Sequence, residues 1–402
     1  MNIIEKFQKL GVNNAPGQEC RQDTGKINTD IEEISGTPVD FSHGDVDAFA
    51  PIPGTLESFV EGVKAGGKQA YTEYRGKNSI REYLACKISA FTGANIDFDE
   101  EIIMTPGTQG ALFLAMGANI MPEDKVAIVE PDYFANRKLV TFFGGIIVPI
   151  QMEYTNYSDR AGIDLIKLEE AFKTGVKLFV FSNPNNPTGV IYSHGEICSI
   201  AQLAKKYGVT VIADELYSRQ IFDGRKYTHL CGQDDLPDNL ITIIGPSKTE
   251  SLSGYRLGVA FGSSAVIERM EKLQAIMSLR CSGYNQAVFM NWFSEPDGWM
   301  EERIEQHQAI RDDLVDMLQK VKGVEVRATE GGSYLFVKLP EMKISMHDFI
   351  KVLRIKARVI VTPGTEFGPQ FIDWVRINFS QNHNAAIGAI ERTIKVMEWY
   401  RK

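Results

Sequence analysis

The sequence predicts an α/β protein: a three-layer large domain around a mainly parallel sheet, followed by a smaller α+β domain. Apolar runs rich in β-branched residues alternate with helical segments over about residues 58–280, a pattern typical of parallel strands that helices cover on both faces. After a helical stretch near residues 289–321, short strands mix with helices, which indicates a second unit. We expect residues 57–285 to form the large domain and residues 286–402 the small one, which the N-terminal segment 1–56 joins.

The predicted elements follow one another in a regular order. The N-terminus reads as a short amphipathic helix, and the polar stretch from Gly11 to Gly36 as a loop. The strands of the large domain are EIIM, KVAIVE, GIIVPIQM, KLFVFS, VTVIAD and LITII, with the helix TQGALFLAMGANI after the first and GEICSIAQLAKKYG between the fourth and fifth. The small domain contains a hairpin in VEVRATEGGSYLFVKL, a helix in MHDFIKVLRIK, strands in VIVTPG and WVRINFS, and a closing helix.

Composition argues against several classes of protein. The chain has 402 residues, 44% of them hydrophobic and 24% charged, as in ordinary globular proteins of about two domains. The net charge of −9 argues against nucleic acid or an anionic membrane as a partner. The start lacks the apolar core of a signal peptide, and no apolar run approaches the length of a membrane span, roughly 18 residues. The five cysteines are scattered without a CxxC pair, so we expect neither a disulfide framework nor a zinc site, and a cytoplasmic protein.

The carboxyl end of one predicted strand carries a carboxylate. The strand VTVIA runs directly into Asp214, and Tyr217 follows three residues later. Ligands of open α/β sheets bind at the carboxyl ends of the strands. A buried carboxylate is costly unless a cation or hydrogen bonds meet it. Asp214 therefore requires a positively charged partner.

A second strand end offers a site for an anion. After EIIM, Gly107, Thr108 and Gln109 open a helix, whose free backbone N–H groups can bind a negative charge. Such a turn also occurs merely to satisfy helix geometry.

Two further strand ends carry polar motifs. After KLFVF comes SNPNNPTG with Asn186, which also reads as a stiff loop before a helix. After LITII comes GPSKTESLSGYRLG, which places Ser247 and Lys248 at the mouth of the sheet and Arg256 eight residues after the lysine. A single lysine there would by default be a surface residue, so only the combination of these motifs indicates a binding site.

Together these groups match the needs of pyridoxal 5'-phosphate. A phosphate cradle, a carboxylate at a strand end, an amide, a phenol and a partly buried lysine are the groups that hold this cofactor, which forms a Schiff base with a lysine and pairs its ring nitrogen with a carboxylate. The cation that Asp214 requires is then the protonated pyridine nitrogen.

The chain resembles the fold-type I pyridoxal-phosphate enzymes of the class I/II aminotransferase family over nearly its whole length. The most specific motifs are NNPTG, ADELY, SKTESLSGYRLG and WVRINFS, and their order is more diagnostic than any single one. The residues that match the family's pattern are, in chain order, Gly44, Tyr71, Gly107, Tyr133, Asn186, Asp214, Tyr217, Lys248, Arg256 and Arg376.

The resemblance implies roles for the cofactor-binding residues. Lys248 corresponds to the lysine that forms the Schiff base and acts as general acid and base, and Asp214 to the partner of the ring nitrogen. Asn186 and Tyr217 correspond to the residues that hydrogen-bond the phenolic oxygen of the ring, and Tyr133 to the aromatic that stacks on its face. The implied phosphate ligands are Gly107, Thr108, Gln109, Ser247 and Arg256.

The resemblance also implies a substrate site and a homodimer. Arg376 corresponds to the arginine that binds the α-carboxylate of the substrate, which a planar guanidinium can engage through both oxygens. Asn186 is implied as a second substrate contact, and Gly44 as the glycine that lets the N-terminal segment pass close to the substrate. Tyr71 resembles a tyrosine that reaches the phosphate in the neighbouring subunit, which implies a symmetric dimer with shared active sites.

Gly245 departs from the usual pattern of the family, and the roles of His43 and Arg280 stay open. Gly245 stands three residues before Lys248, where the family usually has a hydroxyl, so one phosphate hydrogen bond falls to Ser247 instead. His43, in HGDVDAF, either lines the substrate pocket or is a structural histidine. Arg280 lies where some relatives place an arginine of the neighbouring subunit for an acidic side chain, and a solvated arginine at a helix end is the alternative.

The primary hypothesis is transamination between an L-amino acid and a 2-oxo acid. The alternative is a pyridoxal-phosphate-dependent lyase or cyclising enzyme, similar to the carbon–sulfur lyases or to aminocyclopropane carboxylate synthase. A regulator that only binds the cofactor would carry an N-terminal DNA-binding module, for which the roughly 35 residues before GTPVDF are too few and too acidic. No residue of the sequence selects the side chain of the substrate.

Overall fold

The computed structural model describes residues 2–11, 31–44 and 47–402. The predicted N-terminal helix is present as α1 (Ile3–Gln8). It begins with a capping box, in which Asn2 and Glu5 each accept a hydrogen bond from the backbone of the other. Most of the loop predicted from Gly11 to Gly36 lies outside the described residues. The first strand, β1 (Val39–Asp40), follows.

A seven-stranded sheet forms the centre of the larger part of the chain. Its strands are β2 (Ile102–Pro106), β3 (Lys125–Glu130), β4 (Ile146–Gln151), β5 (Leu178–Ser182), β6 (Thr210–Asp214), β7 (Leu240–Ile244) and β8 (Leu257–Gly262). The strand order is β2-β8-β7-β6-β5-β3-β4. Neighbouring strands run parallel except at β8, which is antiparallel to both β2 and β7. The predicted, mainly parallel sheet is confirmed.

Strand β8 was not predicted, and its run LGVAFG contains two glycines. The structure shows why one of these glycines is needed. A Cβ added at Gly258 would lie 2.3 Å from the backbone carbon of Gly107, so β8 can approach the end of β2 closely only without a side chain there.

Helices cover the sheet and connect its strands. They are α2 (Thr55–Lys64), α3 (Gly67–Ala70), α4 (Asn78–Thr92), α5 (Gly107–Gly117), α6 (Phe134–Phe143), α7 (Leu165–Lys173), α8 (His194–Tyr207) and α9 (Ser264–Met277). The predicted helices after the first strand and before the fifth are α5 and α8. Helix α8 begins with a capping box between Ser193 and Glu196 and ends at Gly208 in the left-handed conformation, the usual start and stop signals.

Apolar side chains fill the space on both faces of the sheet. Along β5, Phe179 and Phe181 belong to one buried cluster, and Leu178 and Val180 to the other. This alternation follows from the two-residue period of a strand. Burial on both faces explains the continuous apolar runs of the sequence and leaves the strand ends as the places for polar groups.

The C-terminal part of the chain mixes a small sheet with helices. Its elements are α10 (Trp299–Gln319), β9 (Tyr334–Lys338), α11 (Met346–Val352), β10 (Val359–Ile360), β11 (Thr362–Pro363), β12 (Trp374–Asn378) and α12 (His383–Tyr400). Strands β11, β12 and β9 form an antiparallel sheet in this order. Strand β1 pairs in parallel with β10, so this piece of the N-terminal segment contacts the C-terminal part. The predicted boundaries near residues 56 and 285 stay predictions.

The predicted hairpin in VEVRATEGGSYLFVKL is wrong in its first half. Strand β9 forms its second half, but only Glu325 bridges back to Lys338. The residues between turn instead toward the large sheet, where the backbone N–H groups of Glu330 and Gly331 both donate to the Gly189 carbonyl at 2.9 Å. Contacts with a distant loop therefore override local pairing.

The predicted helix over residues 289–321 is shorter than expected. The stretch Tyr284–Asn291 is a 3₁₀ segment, and α10 begins only at Trp299. The sequence FSEPDG lies between them, and its proline and glycine interrupt the helix. In the part of the chain that the structure describes, no helix combines the length and the apolar character needed to cross a membrane.

Candidate active site

The ends of the parallel strands meet around a cavity of about 140 Å³. Parallel strands carry their carboxyl ends to one edge of a sheet, which is why residues far apart in sequence converge there. Most of the predicted cofactor residues line this cavity, namely Thr108, Gln109, Tyr133, Asn186, Asp214, Tyr217, Ser247, Lys248 and Arg256.

One end of the cavity is a cradle for an anion. Gly107 opens α5 with a φ of +75°, and a Cβ there would lie 2.5 Å from Nη2 of Arg256. Arg256 itself has a left-handed backbone, with a φ of +54°, and donates from Nη1 to the Ser253 carbonyl at 2.8 Å. The start of α5 and a guanidinium thus face the same small space, which suits a phosphate.

Asp214 provides the negative charge of the cavity. Its carboxylate accepts a hydrogen bond from the Leu216 backbone N–H at 3.2 Å. Burial raises the pKa of Asp214 from 3.8 to about 6; neighbouring Glu215 adds to the rise, and the Leu216 hydrogen bond opposes it. A cationic partner in the cavity would restore full ionisation of this carboxylate.

Two side chains that line the cavity are held in place by polar contacts. The Tyr133 hydroxyl donates to Oε1 of Gln109 at 2.9 Å, which orients its ring beside the start of α5. Oδ1 of Asn186 accepts a hydrogen bond from Nη1 of Arg376 at 3.0 Å. This bond fixes the amide plane of Asn186 at the cavity wall.

Arg376 lies at the border between this cavity and a larger one of about 1120 Å³. Strand β12 carries it, and the side chain is 5% exposed. Its Nη2 donates to the Ser42 carbonyl at 2.9 Å, and its Nε is buried without a hydrogen-bond partner among the described residues. The guanidinium stacks over Tyr334 at 4.3 Å and Phe367 at 5.0 Å from the ring centroids. The arginine is therefore fixed in orientation where the two cavities meet.

A second arginine stabilises the loop that carries Lys248. Arg303 of α10 donates to the Thr249 carbonyl and to the Ser251 hydroxyl, at 3.3 and 2.9 Å. On the cavity side, Ser247 donates from its hydroxyl to the Leu257 carbonyl at 3.2 Å. Lys248 lines both the small and the large cavity, so its amine stands where the two spaces join.

The predicted residues His43 and Gly44 line the larger cavity only. His43 is half exposed and lies 3.3 Å from the carboxylate of Asp40, and its Nδ1 is 2.8 Å from the Gly44 carbonyl. A Cβ at Gly44 would approach the Ser380 hydroxyl to 3.3 Å. Both residues thus belong to the wall of the larger space, and whether His43 touches a substrate stays a prediction.

Tyr71 and Arg280 lie outside both cavities. Tyr71 is 81% exposed. The guanidinium of Arg280 lies 5.5 Å from the Tyr71 ring and 5.2 Å from the Tyr74 ring, and Nη1 donates to the Thr72 carbonyl. Arg280 is therefore tethered to the segment that carries Tyr71, and whether it binds a substrate in the neighbouring subunit stays a prediction.

Sequence reasoning missed two residues of the site. Tyr334, at the start of β9, lines the small cavity, and its hydroxyl lies 2.7 Å from the hydroxyl of Tyr217. Asp132 lies behind the cavity wall, where it accepts hydrogen bonds from the backbone N–H groups of Tyr133 and Ser182. Burial raises the pKa of Asp132 to about 8. Its position in EPDYF, just after a buried strand, was the same signal that pointed to Asp214.

Known proteins similar to this chain share its architecture. The family described as "Aminotransferase class I and II" matches residues 38–390. The chain belongs to this family. The crystal structure of an aspartate aminotransferase from Rhodobacter sphaeroides 2.4.1 is 56% identical, covers 100% of both chains and has a TM-score of 0.94.

Two further relatives of the family are more distant. An aspartate aminotransferase of Sulfolobus acidocaldarius is 29% identical over 81% of this chain and 82% of its own length. The aromatic-amino-acid aminotransferase 2 of Thermococcus litoralis is 24% identical over 86% of this chain and 88% of its own. Class I/II aminotransferases depend on pyridoxal 5'-phosphate, and this enzyme is a pyridoxal-phosphate-dependent transaminase acting on an amino acid and a 2-oxo acid.

The cavity of this aminotransferase fits the cofactor. The cradle formed by Gly107 and Arg256 has room for an anion only because Gly107 has no side chain. A Cβ there would lie 2.5 Å from Nη2 of Arg256. In the same cavity, burial raises the pKa of Asp214 to about 6, and neighbouring Glu215 adds to the rise. An anionic phosphate and a cationic ring nitrogen complement these two features, and Lys248 lines the same cavity.

Proposed function

We propose that the enzyme transfers the amino group of an acidic L-amino acid, aspartate in particular, to a 2-oxo acid, with Lys248 as the covalent anchor and proton carrier. One observation carries the proposal: Lys248, Asp214 and Arg256 line a single cavity, and Arg376 lines the larger cavity that Lys248 also borders. The ring of the cofactor would be surrounded by Tyr133, Asn186 and Tyr217. Its phosphate would be bound by Thr108, Gln109, Ser247 and Arg256.

When bound, pyridoxal phosphate supplies an electron-withdrawing ring that makes the α-hydrogen of an attached amino acid acidic. The protein's residues do the rest. Asp214 keeps the ring nitrogen protonated through a charged hydrogen bond. The Lys248 amine would take the α-proton on Nζ and return it to a carbon of the cofactor, so one group would serve as both base and acid.

Arg376 orients the substrate for this proton transfer. Its guanidinium is fixed by Asn186 and by the Ser42 carbonyl, and a planar fork binds both oxygens of an α-carboxylate. Because the arginine cannot rotate freely, the bound amino acid has little freedom left, and its α-hydrogen stays near Lys248. Such positioning contributes to the rate by lowering the entropy cost of reaction.

An acidic substrate is supported by the relatives and by the tether of Arg280. The Rhodobacter sphaeroides structure, which matches the full chain, is called an aspartate aminotransferase. Arg280 contacts the exposed segment around Tyr71. If Tyr71 reaches the phosphate in the neighbouring subunit, Arg280 approaches that subunit's substrate site with it, where a guanidinium would bind a side-chain carboxylate.

A homodimer is supported by an apolar surface beside Tyr71. The exposed side chains that form it are Leu56, Val60 and Val63 of α2, Ile276 and Met277 of α9, Leu279 and Met290. Exposed apolar patches mark interaction sites, and a two-fold dimer through this face would place Tyr71 of each copy against the other subunit. We also propose a cytoplasmic enzyme, since Cys86, Cys198, Cys231 and Cys281 are free thiols.

The test is a panel of amino donors with 2-oxoglutarate or pyruvate as acceptor. The purified enzyme should form glutamate or alanine, with aspartate among the best donors. Release of ammonia without a new amino acid would contradict the proposal and favour a lyase. A Lys248→Ala variant is the negative control.

The role of Arg280 has its own test. Arg280→Ala should lower kcat/KM for aspartate by about 10-fold or more, on the scale of a charged hydrogen bond, and leave a neutral donor nearly unchanged. Arg269→Ala, an exposed arginine elsewhere, is the matched control. Equal losses for acidic and neutral donors would exclude a contact between Arg280 and the side-chain carboxylate.

A further inference from the structure

Tyr334 connects the predicted carboxylate site to the predicted ring site. It lies at the start of β9, and its side chain is 4% exposed. Its hydroxyl is 2.7 Å from that of Tyr217, with the two rings edge to face at 78°. The face of the Tyr334 ring carries the guanidinium of Arg376 at 4.3 Å. One side chain thus touches both Tyr217 and Arg376.

The contact between the two tyrosines is rigid. Gly332, two residues before Tyr334, has a φ of +73°, and a Cβ there would lie 3.3 Å from the Tyr217 ring. The Gly332 N–H donates to the Gln220 carbonyl at 2.9 Å, and the Gln220 amide donates back to the Gly332 carbonyl at 3.0 Å. The turn that carries Tyr217 and the entry to β9 therefore hold each other in register.

Charges near Tyr334 make it the more acidic of the two phenols. Burial alone would raise its pKa, but the cations of Arg376 and Lys248, together with the hydrogen bond to Tyr217, outweigh burial and lower the pKa of Tyr334. Burial instead raises the pKa of Tyr217 well above its usual value, with Tyr334 adding to the rise. Either hydroxyl can be the donor in this contact; if Tyr217 donates its single hydrogen to the cofactor, the Tyr334 hydroxyl must donate to the Tyr217 oxygen. The titratable and charged groups that face Tyr334 are Arg376, Lys248, Tyr217, Asp214 and Tyr133.

We propose that Tyr334 is a positioning residue that couples occupation of Arg376 to the hydrogen bond that Tyr217 donates to the cofactor. By donating to the Tyr217 oxygen, Tyr334 leaves the Tyr217 hydrogen free for the ring, and hydrogen bonds in such a chain strengthen one another. A carboxylate on Arg376 neutralises the guanidinium over the Tyr334 ring, which makes Tyr334 a weaker donor. Tyr217 then donates less strongly to the ring oxygen, and the nitrogen that links Lys248 to the cofactor binds a proton more readily.

This inference rests on the proposed function, because it requires Lys248 to carry the cofactor and Arg376 to bind a carboxylate. It adds a role for the phenol of Tyr334, which the family resemblance did not supply. The coupling prepares the enzyme for catalysis only when substrate is present, since the proton affinity at the lysine changes with the occupation of Arg376.

The test measures the pH titration of the cofactor's absorbance in the holoenzyme, with and without succinate, a dicarboxylate that lacks an amino group. In Tyr334→Phe without succinate, the titration midpoint should rise by about half a pH unit, on the scale of one hydrogen bond. Succinate should raise the midpoint of the wild type, and raise that of Tyr334→Phe by clearly less. Tyr192→Phe, a buried tyrosine outside the cavity lining, should behave as the wild type.

The outcomes separate this inference from the proposed function. In one outcome, succinate raises the midpoint of the wild type, and Tyr334→Phe starts from the same midpoint and shifts by the same amount. The coupling through Tyr334 is then wrong, whereas the proposed substrate site at Arg376 is not contradicted. If the wild type itself does not respond although succinate binds in a calorimetric titration, the carboxylate site at Arg376 is wrong as well. A midpoint in Tyr334→Phe that moves downward also overturns the inference, because it reverses the direction of the donated hydrogen bond.

Discussion

Replacing Asp214 by asparagine should affect the cofactor-free and the cofactor-bound enzyme in opposite directions. Asparagine has nearly the same shape, and its Oδ1 can still accept the hydrogen bond from the Leu216 N–H, which is 3.2 Å long. The substitution therefore removes the charge and keeps the local geometry. Without cofactor the charge is unpaired in the cavity, whereas with cofactor it is the partner of the ring nitrogen.

The pKa of Asp214 sets the size and sign of the effect on stability. Burial raises the pKa from 3.8 to about 6, so the folded cofactor-free chain binds this proton more tightly than the unfolded chain does. Well below pH 3.8 the carboxyl is protonated in both states and has no effect. As the pH rises from about 4 to about 6, the folded state loses up to about 3 kcal/mol relative to the unfolded state, at about 1.36 kcal/mol per pH unit, and the loss stays constant at higher pH. The neutral amide of the Asp214→Asn variant would carry no such penalty.

The assay is urea unfolding of the cofactor-free proteins between pH 4 and 8, at one protein concentration. Asp214→Asn should unfold at higher urea than the wild type at pH 7.5, by the equivalent of about 1 to 3 kcal/mol, and the difference should fall to about 0.5 kcal/mol at pH 4. Asp159→Asn, at an exposed aspartate, should show neither effect. With cofactor, kcat of Asp214→Asn should fall about 100-fold or more. A cofactor-free variant that is no more stable than the wild type at pH 7.5 would refute the unpaired buried charge.

Two further substitutions test the binding groups. Arg376→Lys should lower kcat/KM for the amino acid about 10- to 100-fold, because a lysine engages a carboxylate at one point only; unchanged steady-state kinetics would remove Arg376 from the substrate site. Gly107→Ala should weaken cofactor binding in equilibrium dialysis about tenfold or more, since its Cβ would meet Arg256 at 2.5 Å. Gly175→Ala also strains a positive φ, at +89°, but in open space, so equal affinities in the two variants would contradict the cradle.

Residues at strand ends could be predicted from the sequence. The apolar run VTVIA fixes where β6 ends, and the parallel sheet fixes that Asp214 lies at the edge where ligands bind. The same reasoning placed Lys248 after β7 and Gly107 at the start of α5. Local pattern and sheet topology are sufficient for such positions, because the strand itself carries the residue to the site.

Contacts between distant parts of the chain could not be predicted in this way. Tyr334 and Tyr217 are 117 positions apart, and Tyr334 stands at the start of a strand rather than at its end. Its presence in the cavity depends on how the entry to β9 is held against the turn after β6. The incorrect hairpin has the same origin, since Glu330 and Gly331 bond to a loop of the large sheet instead of to a neighbouring strand.

The most direct test of the central claim is to locate the lysine that holds the cofactor. The holoenzyme is reduced with borohydride, digested, and the modified peptide is identified by mass spectrometry. The modification should lie on Lys248, and Lys248→Ala should yield no reduced adduct at any lysine. A cofactor adduct on another lysine, in the wild type or in this variant, would contradict the assignment of the cavity between Lys248 and Asp214 as the active site.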